Sequence, residues 1–179
     1  MFCDFNQDFS ARNQWLDCVL GIKFFNVFGP NEYHKDEMKS VVYKAYQQVK
    51  NTGKVRLFKS YRPDYRDGEQ RRDFIYVKDC VDALWWFLKN PKVNGIFNLG
   101  SGKGRTWNLL ARAVFAAMNR DPEIEYIDMP DQLKPQYQYY TQADMTKLAK
   151  AGYALNFRSL QDGVRDYIVN HLEAANPYL

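Results

Sequence analysis

The stretch GIKFFNVFGPNEYHKDEM, residues 21–38, decides the fold class because it holds a strand, a turn and the approach to a helix. Residues 21–28 are aromatic and β-branched and end at Gly29-Pro30, which predicts a β-strand. From Met38 the apolar side chains recur at helical spacing until Asn51-Thr52-Gly53, which predicts a helix. A strand that leads through a turn into a helix is typical of α/β proteins.

The alternation of strands and helices continues toward the end of the chain. Further strands are predicted at 55–58, 73–77, 95–99 and 124–128, and helices at 79–89 and 107–119. Two more helices are predicted near the end, where Thr141-x-x-Asp144 and Ser159-x-x-Asp162 resemble capping boxes. Residues 1–20 show no clean period. The pattern predicts an α/β fold in which at least part of the sheet is parallel.

Composition narrows the class of protein. The 179 residues are 46% apolar, 16% aromatic and 26% charged, with a net charge of +4, which indicates a globular protein with no basic arm for nucleic acid. Cys3, Cys18 and Cys80 have no spacing typical of a zinc site or a disulfide framework, so we expect reduced thiols and no metal. The absence of a long apolar run and of a leader predicts a cytoplasmic protein without a membrane partner.

Polar candidates follow the first strand and precede the third. Ligands of open α/β sheets bind outside the carboxyl ends of strands, so Lys35 is either a proton-transfer group or an ordinary exposed loop lysine. Four arginines and a lysine crowd the segment from residue 59 to residue 72, and Arg72 is the best candidate for an anion because a strand end holds its side chain still. Asp79, Asp82 and Asp162 are explained by their positions at helix starts, and His171 is expected on the surface.

The glycine-rich segment GSGKGRT, residues 100–106, could be a phosphate-binding site or a plain turn between a strand and a helix. It lies between a predicted strand and a predicted helix, where amide groups can bind phosphate. Its spacing is GxGxG and not the dinucleotide GxGxxG, and no acidic residue ends a second strand at the required distance. A plain strand-to-helix turn is therefore favoured over a phosphate site.

Four segments together carry a family resemblance: GIKFFNVFGPNEYHK, LFKSYRPDYRDGEQRRDFIYVKD, GIFNLGSGKGRTWNLL and YQYYTQADMTKLAKAGY. In this order they closely resemble the ADP-L-glycero-D-manno-heptose 6-epimerases, which are extended short-chain dehydrogenases/reductases acting on a nucleotide sugar. The resemblance covers about residues 12–172. FNVFGP alone is typical of the whole extended family, whereas NEYHK, SYRPDY with RRDF, and YTQAD point to the heptose branch.

The resemblance implies a role for each matching residue. Lys35 is implied as a catalytic proton carrier, Val27 as a contact of the nicotinamide cofactor, and Arg72 as a contact of the substrate diphosphate. The substrate-binding residues implied in full are Asn26, Glu37, Lys44, Phe58, Lys59, Ser60, Arg72 and Tyr137. Asp36 departs from the family because a glycine is usual there, which matters if the position needs a positive φ.

The resemblance also implies a cofactor, a substrate and an assembly. In this family NADP mediates oxidation and reduction at C6 of an ADP-heptose, and the product supplies the inner core of lipopolysaccharide. Homo-oligomers are implied. We expect the chain to correspond to the C-terminal part of an extended Rossmann-type fold with its small substrate-binding domain, the N-terminal Rossmann half being missing.

This correspondence divides the single unit 1–179 in two. Residues 21–30 and 73–100 are assigned to the Rossmann sheet, and 31–72 and 101–172 mainly to the substrate-binding part. Because the glycine fingerprint and the Tyr-x-x-x-Lys motif of the family are not found, we expect the isolated chain to be inactive and to bind NADP poorly. The alternative is a stand-alone module that binds a nucleotide sugar or promotes assembly without catalysis.

Overall fold

The computed structural model describes residues 19–178. Its strands, numbered in chain order, are β1 (Leu20–Phe24), β2 (Asn26–Phe28), β3 (Val55–Phe58), β4 (Arg71–Tyr76), β5 (Gly95–Leu99), β6 (Gly104–Thr106) and β7 (Ile124–Ile127). Three pairs are parallel, β1 with β5, β2 with β4, and β3 with β7, whereas β6 runs antiparallel to β4. The predicted α/β architecture with parallel pairing is confirmed. The predictions for Cys3 and Cys18 lie outside the described residues.

The predicted strand at 21–28 is in fact two strands. β1 pairs with β5, and the amide of Phe25 donates to the carbonyl of Leu99 at 3.0 Å as the last bond of that ladder. The chain then pairs with β4, so that Asn26 lies opposite Phe74. The prediction of a single strand was wrong because the aromatic residues run without a break through the point where the pairing changes from β5 to β4. Strand β6, inside the glycine-rich turn, was not predicted either.

The described helices are α1 (Val41–Thr52), α2 (Val77–Lys89), α3 (Trp107–Ala117), α4 (Thr146–Lys150) and α5 (Leu160–Tyr167), and a π-helical turn, Ile168–Leu172, continues α5. Three of these five, α1, α3 and α5, begin at a Ser or Thr whose hydroxyl accepts from a backbone amide. Ser40 starts α1 by accepting from the amide of Tyr43 at 3.2 Å. Two turns of 3₁₀ helix cover Tyr33–Met38 and Lys134–Gln136.

The two predicted capping boxes had different outcomes. Ser159 is confirmed as the cap of α5, since its hydroxyl accepts from the amide of Asp162 at 3.0 Å. The box at Thr141 is wrong, because α4 begins only at Thr146, whose amide donates to the carboxylate of Asp144 at 2.9 Å. A tight segment paired with β4 occupies the place of the predicted first turn.

Two hydrophobic clusters form the interior, and β4 contributes to both. Phe74 and Tyr76 face the larger cluster, formed with α1, α3 and α5, whereas Ile75 between them faces a smaller one formed with α2 and β5. This follows from the alternation of side chains along a strand. Strand β4 is consequently buried on both sides, and its residues are held in fixed directions.

Two polar residues are more buried than predicted. His171 is 6% exposed, so its assignment to the surface was wrong: the π-helical turn points it inward, near Lys78 and the carbonyl of Pro177. Asp79 is 2% exposed and is bonded by the guanidinium and the amide of Arg158. Its position in the first turn of α2 was therefore an incomplete explanation, because the carboxylate also ties α2 to the segment before α5.

No helix within residues 19–178 is both long and apolar enough to span a bilayer.

Candidate functional site

Arg72 has a buried guanidinium that forms no ion pair with any carboxylate of residues 19–178. Arg72 lies near the start of β4, is 9% exposed, and donates to the carbonyl of Arg71 at 2.9 Å. Within the described part of the chain no Asp or Glu forms an ion pair with it. Burial lowers the pKa of Arg72, because desolvation disfavours the charged form. Such a cation is costly to bury and is suited to a bound anion.

Aromatic rings surround this guanidinium. Its central carbon lies 5.3 Å from the ring centroid of Tyr137 and 5.8 Å from that of Trp107. The ring of Phe58, at the end of β3, meets Tyr137 edge to face at 6.4 Å. Burial raises the pKa of Tyr137, and the charge of Arg72 opposes this shift. The predicted residues Arg72, Tyr137 and Phe58 are thus brought together from three different parts of the chain, and we call them, with Trp107, the Arg72 cluster.

Lys59 and Ser60 follow Phe58 directly, at the end of β3. Lys59 forms an ion pair with Asp128 at 3.1 Å, and the amide of Ser60 donates to the carboxylate of Asp67 at 2.7 Å. The buried side chain of Gln70 lies beneath the strand end and donates to the carbonyls of residues 58 and 59, each at 3.4 Å. These bonds hold the segment beside the Arg72 cluster, and the substrate roles of Lys59 and Ser60 stay predictions.

Asn26 lies on the strand that neighbours Arg72. It is opposite Phe74 in the β2–β4 pair, two residues along β4 from Arg72, and its side-chain amide donates to the carbonyl of Asp73 at 3.1 Å. Asn26 is exposed and Val27 after it is half-buried. The parallel pairing thus places the predicted sugar contact and the predicted anion contact on adjacent strands.

The turn after β2 holds Lys35 and Glu37, and the helix that follows it, α1, holds Lys44. Lys35 is exposed, and its side chain forms no ion pair within residues 19–178. Lys44 on α1 donates to the carbonyl of Glu37 at 2.5 Å and lies 3.4 Å from its carboxylate. No described contact joins these three residues to the Arg72 cluster, so the catalytic role of Lys35 and the substrate roles of Glu37 and Lys44 stay predictions.

Asp36, the residue after Lys35, has a positive φ. This is the position at which the resembling family usually has a glycine. Asp36 has φ 43° and ψ −120°, which kinks the turn from Tyr33 to Met38. Side chains with a Cβ rarely adopt this conformation, whereas glycine does so readily. The position does need a positive φ, and Asp36 adopts it under strain.

The glycine-rich turn is occupied by the protein's own carboxylate. Asp73, fully buried on β4, accepts from the amides of Ser101 at 2.7 Å, Gly102 at 3.0 Å and Ala143 at 2.9 Å. The hydroxyl of Ser101 also donates to it, at 2.6 Å. A Cβ on Gly100 would lie 2.7 Å from the Asp73 carboxylate, which explains the glycine there. These bonds support the interpretation that residues 100–106 form a structural turn. The amides that a phosphate would need already donate to Asp73.

A cavity of about 320 Å³ at the end of β1 is the feature that the sequence analysis missed. Its lining is formed by Lys23, Phe24, Phe25, Asn26, Gln138 and Thr141. The hydroxyl of Thr141 is buried and has no hydrogen-bond partner among residues 19–178. Thr141 belongs to the YTQAD motif, and that motif could have indicated the cavity. The sequence analysis instead interpreted Thr141 as a helix cap.

The described residues offer some features that the nicotinamide ring of the implied cofactor could use and none that its diphosphate could use. Val27 on β2 is half-buried and packs against the smaller hydrophobic cluster, and the hydroxyl of Thr141 in the cavity has no hydrogen-bond partner among residues 19–178. The only glycine-rich turn of the described chain has its amides bonded to Asp73. Residues 19–178 also contain no cluster of acidic, histidine or cysteine side chains suited to a metal ion.

Comparisons with known proteins identify the family of this chain. Residues 9–100 match the model of the NAD dependent epimerase/dehydratase family. An ADP-L-glycero-D-manno-heptose-6-epimerase from Nitratidesulfovibrio vulgaris (strain DP4) is 58% identical over 168 residues, which are 94% of this chain and 52% of that relative. One from Fusobacterium nucleatum is 44% identical over 165 residues, 89% of this chain and 50% of the relative.

A solved structure shows the same fold. The crystal structure of ADP-L-glycero-D-manno-heptose-6-epimerase from Helicobacter pylori aligns with a TM-score of 0.70 at 26% identity, covering 91% of this chain and 47% of that one. The chain spans about half the length of the curated relatives it matches. Its Rossmann-type α/β fold is accordingly part of the fold of the longer relatives. On the match over residues 9–100, the chain belongs to the NAD dependent epimerase/dehydratase family.

Proposed function

We propose that this chain forms the substrate-binding portion of a nucleotide-sugar epimerase of the ADP-L-glycero-D-manno-heptose 6-epimerase type. The observation that carries the proposal is the buried guanidinium of Arg72, enclosed by Tyr137 and Trp107 with no carboxylate partner among the described residues. A guanidinium matches the paired oxygens of a diphosphate, and binding one would compensate the burial of the charge. An ADP-sugar supplies that diphosphate.

The remaining residues are assigned around this anchor. We assign the ring of Phe58 and the segment of Lys59 and Ser60 to the nucleotide, since they leave the Arg72 cluster along one strand end. Asn26, on the strand adjacent to Arg72, is assigned to the sugar. Glu37 and Lys44, which are bonded to each other, are assigned to the far side of the substrate.

Lys35 is proposed to move the hydroxyl proton at the reacting carbon. An amine accepts the proton when the hydroxyl is oxidised and returns it when the centre is reduced, which is general acid–base catalysis. Lys35 is free of ion pairs within residues 19–178, so no described carboxylate competes for it. A nicotinamide cofactor beside Val27 would supply reversible hydride transfer at C6, and we propose NADP for it on the family resemblance.

The chain shares only about half the length of its curated relatives, so we propose that turnover depends on sequence outside this shared part. The product of the complete reaction would supply the heptose of the lipopolysaccharide inner core. A second candidate is a nucleotide-sugar binding or assembly module without catalysis. It is favoured by one observation: the Arg72 cluster is fully assembled, while no described contact links Lys35 to it.

A calorimetric melt with and without ADP-mannose tests the substrate site. A ligand that binds only the folded state stabilises it by about 2.7 kcal/mol at a hundredfold excess over Kd. We expect the parent chain to melt at a higher temperature with ligand and Arg72→Ala to show no shift. Arg62→Ala is the matched control, because Arg62 is exposed and paired with Asp64, and it should retain the full shift. A parent transition that ignores the ligand would refute the proposed site.

Turnover separates the two candidate functions. We expect the 179-residue chain with NADP to bind ADP-heptose without epimerising it. A fusion to the nucleotide-binding half of a relative should then epimerise the sugar, and Lys35→Met in that fusion should abolish turnover while leaving ADP-mannose binding intact. A fusion that binds without turnover favours the binding module. Turnover by the chain alone would show that the shared part is sufficient.

A further inference from the structure

The cavity at the end of β1 contains a buried hydroxyl that the described fold does not use. Thr141 lines this cavity, and its hydroxyl has no hydrogen-bond partner among residues 19–178. A buried hydroxyl without a partner costs free energy, and a valine of nearly the same shape would avoid that cost. A ligand in the cavity would give the hydroxyl the partner that it lacks. We call this space the Thr141 cavity.

The Thr141 cavity lies beside Arg72 along one edge of β4. Strand β6 occupies the opposite edge. On the edge of the cavity, Tyr140 forms a bridge to Arg71, and Asn26 begins the pairing with β2 further along the strand. The amide of Thr141 donates to the carbonyl of Arg71 at 3.2 Å, so Thr141 lies between these two pairs. Thr141 and Asn26, which both line the cavity, therefore flank Arg72 in the sheet.

Asn26 also faces the same side of the sheet as Arg72. Side chains alternate along a strand, and Phe28 of β2 joins the larger hydrophobic cluster whereas Val27 packs against the smaller one. Asn26, two residues before Phe28, therefore faces the side of the larger cluster. Arg72, two residues before Phe74 on β4, faces that side as well. The proposed diphosphate anchor and one wall of the cavity thus share one face of the sheet.

The polar groups of the cavity are suited to hydroxyl groups. The side-chain nitrogen of Asn26 donates to a backbone carbonyl of β4 at 3.1 Å, which leaves its side-chain oxygen as an acceptor. The amide of Gln138 and the hydroxyl of Thr141 can each donate and accept. Among the described residues the lining includes no carboxylate, and Phe24, which is 47% exposed, adds an aromatic ring. Neutral donors and acceptors beside an apolar ring match the hydroxyls and the C–H face of a sugar.

We propose that the Thr141 cavity holds the sugar of the substrate and that Thr141 is a further substrate-binding residue, whose hydroxyl bonds a sugar hydroxyl. The inference rests on the proposed function, because a diphosphate bound at Arg72 places the sugar that is bonded to it beside this residue. The volume of about 320 Å³ is within the usual range for small-molecule sites. A sugar is favoured over a nicotinamide ring, because Val27, the implied nicotinamide contact, faces the other side of the sheet.

Titration calorimetry of the 179-residue chain with ADP, with ADP-mannose and with NADP tests the cavity. Thr141→Val should weaken the binding of ADP-mannose by about threefold to tenfold, the effect of one neutral hydrogen bond, and leave the binding of ADP unchanged. Thr141→Ser keeps a hydroxyl and should bind ADP-mannose as the parent does. Thr52→Val is the matched control: the hydroxyl of Thr52 bonds the carbonyl of Gln48 within α1 at 2.8 Å, and its loss should change neither dissociation constant.

Melting curves without ligand distinguish a binding role of the hydroxyl from a structural one. We expect Thr141→Val to melt at the temperature of the parent or above it, because the hydroxyl has no described partner to lose. A parent that binds neither ADP nor ADP-mannose would refute the proposed function, and this inference with it. If the parent binds both, the inference alone is overturned by a Thr141→Val variant that binds ADP-mannose normally, binds ADP more weakly, is weakened only toward NADP, or melts below the parent.

Discussion

The phenol of Tyr167 donates a 2.9 Å hydrogen bond to the carboxylate of Glu32, and this bond joins the last helix to the turn that carries Lys35. Both side chains are buried. The other oxygen of Glu32 accepts from the amide of Ser40 at 2.6 Å, at the start of α1. Burial raises the pKa of Tyr167, so that the phenol stays protonated and remains a donor. Glu32 and Tyr167 therefore hold both ends of the Lys35 turn.

We expect Tyr167→Phe to destabilise the chain by about 1–3 kcal/mol, because it leaves a buried carboxylate with one donor fewer. Urea unfolding measures the effect. Tyr33→Phe is the control: its hydroxyl also reaches the terminal segment, at the carbonyl of Pro177, but it is only partly buried and should cost less. Equal stability of Tyr167→Phe and the parent would contradict the role given to this bond.

Asp36→Gly should stabilise the folded chain by about 1 kcal/mol. The substitution relieves a conformation that costs a residue with a Cβ about 1–3 kcal/mol, and part of the gain is offset by the greater freedom of glycine in the unfolded chain. Lys39→Gly is the control, since Lys39 has an ordinary φ of −57° and should gain nothing. The comparison is made by thermal melting. If both variants lose stability, Asp36 is not strained.

The stability of the chain should fall as the pH is lowered through the range in which free histidine titrates. Burial, reinforced by the charge of Lys78, lowers the pKa of His171 below its ordinary value of 6.5. The unfolded chain therefore takes up a proton first, so the contribution of neutral His171 is complete above pH 6.5 and is lost below it. Unfolding free energies measured between pH 5 and pH 8 should show this slope.

The slope should be reduced in His171→Leu and unchanged in His34→Gln, because His34 is exposed on the turn after β2. A slope that survives in His171→Leu would assign the pH dependence to other groups. The comparison uses the difference between variants and is thus independent of the remaining carboxylates.

Asp73→Asn should be among the most damaging isosteric changes, at about 3 kcal/mol. The carboxylate accepts from both the amide of Gly102 and the amide of Ala143 through one oxygen, and from Ser101 through the other. The side-chain NH₂ group of an asparagine would replace one of these two oxygens and would then face amide donors. Asp67→Asn is the control, since that carboxylate accepts from Ser60 at a partly buried site. Chemical denaturation ranks the two, and a smaller loss for Asp73→Asn would contradict its part in closing the glycine-rich turn.

Periodicity and turn residues determined the element types because they record local preferences. The alternation of apolar runs with Gly, Pro and Asn at their ends was sufficient for α1 to α3 and for β3, β5 and β7, within a few residues. Phe58 and Tyr137 came instead from the family resemblance, Arg72 came from both its strand-end position and the resemblance, and Trp107 was not predicted. Their grouping could not be read from spacing, because Phe58, Arg72 and Tyr137 are separated by long stretches of chain and meet only through β3, β4 and the segment after Lys134.

Sequence by itself determined the α/β class, most element boundaries and the family to which the chain belongs, because these depend on local pattern and shared motifs. Only the tertiary structure decided that residues 21–28 change partner at Phe25, that His171 faces inward, and that Asp73 closes the glycine-rich turn. Each of these three features depends on which residues, distant in the sequence, offer a hydrogen bond or exclude water. The neighbouring residues in the sequence do not indicate which residues those are. The same reason explains why Val81, Leu84, Trp85 and Leu88 of α2 were predicted as part of a helix but not as exposed side chains.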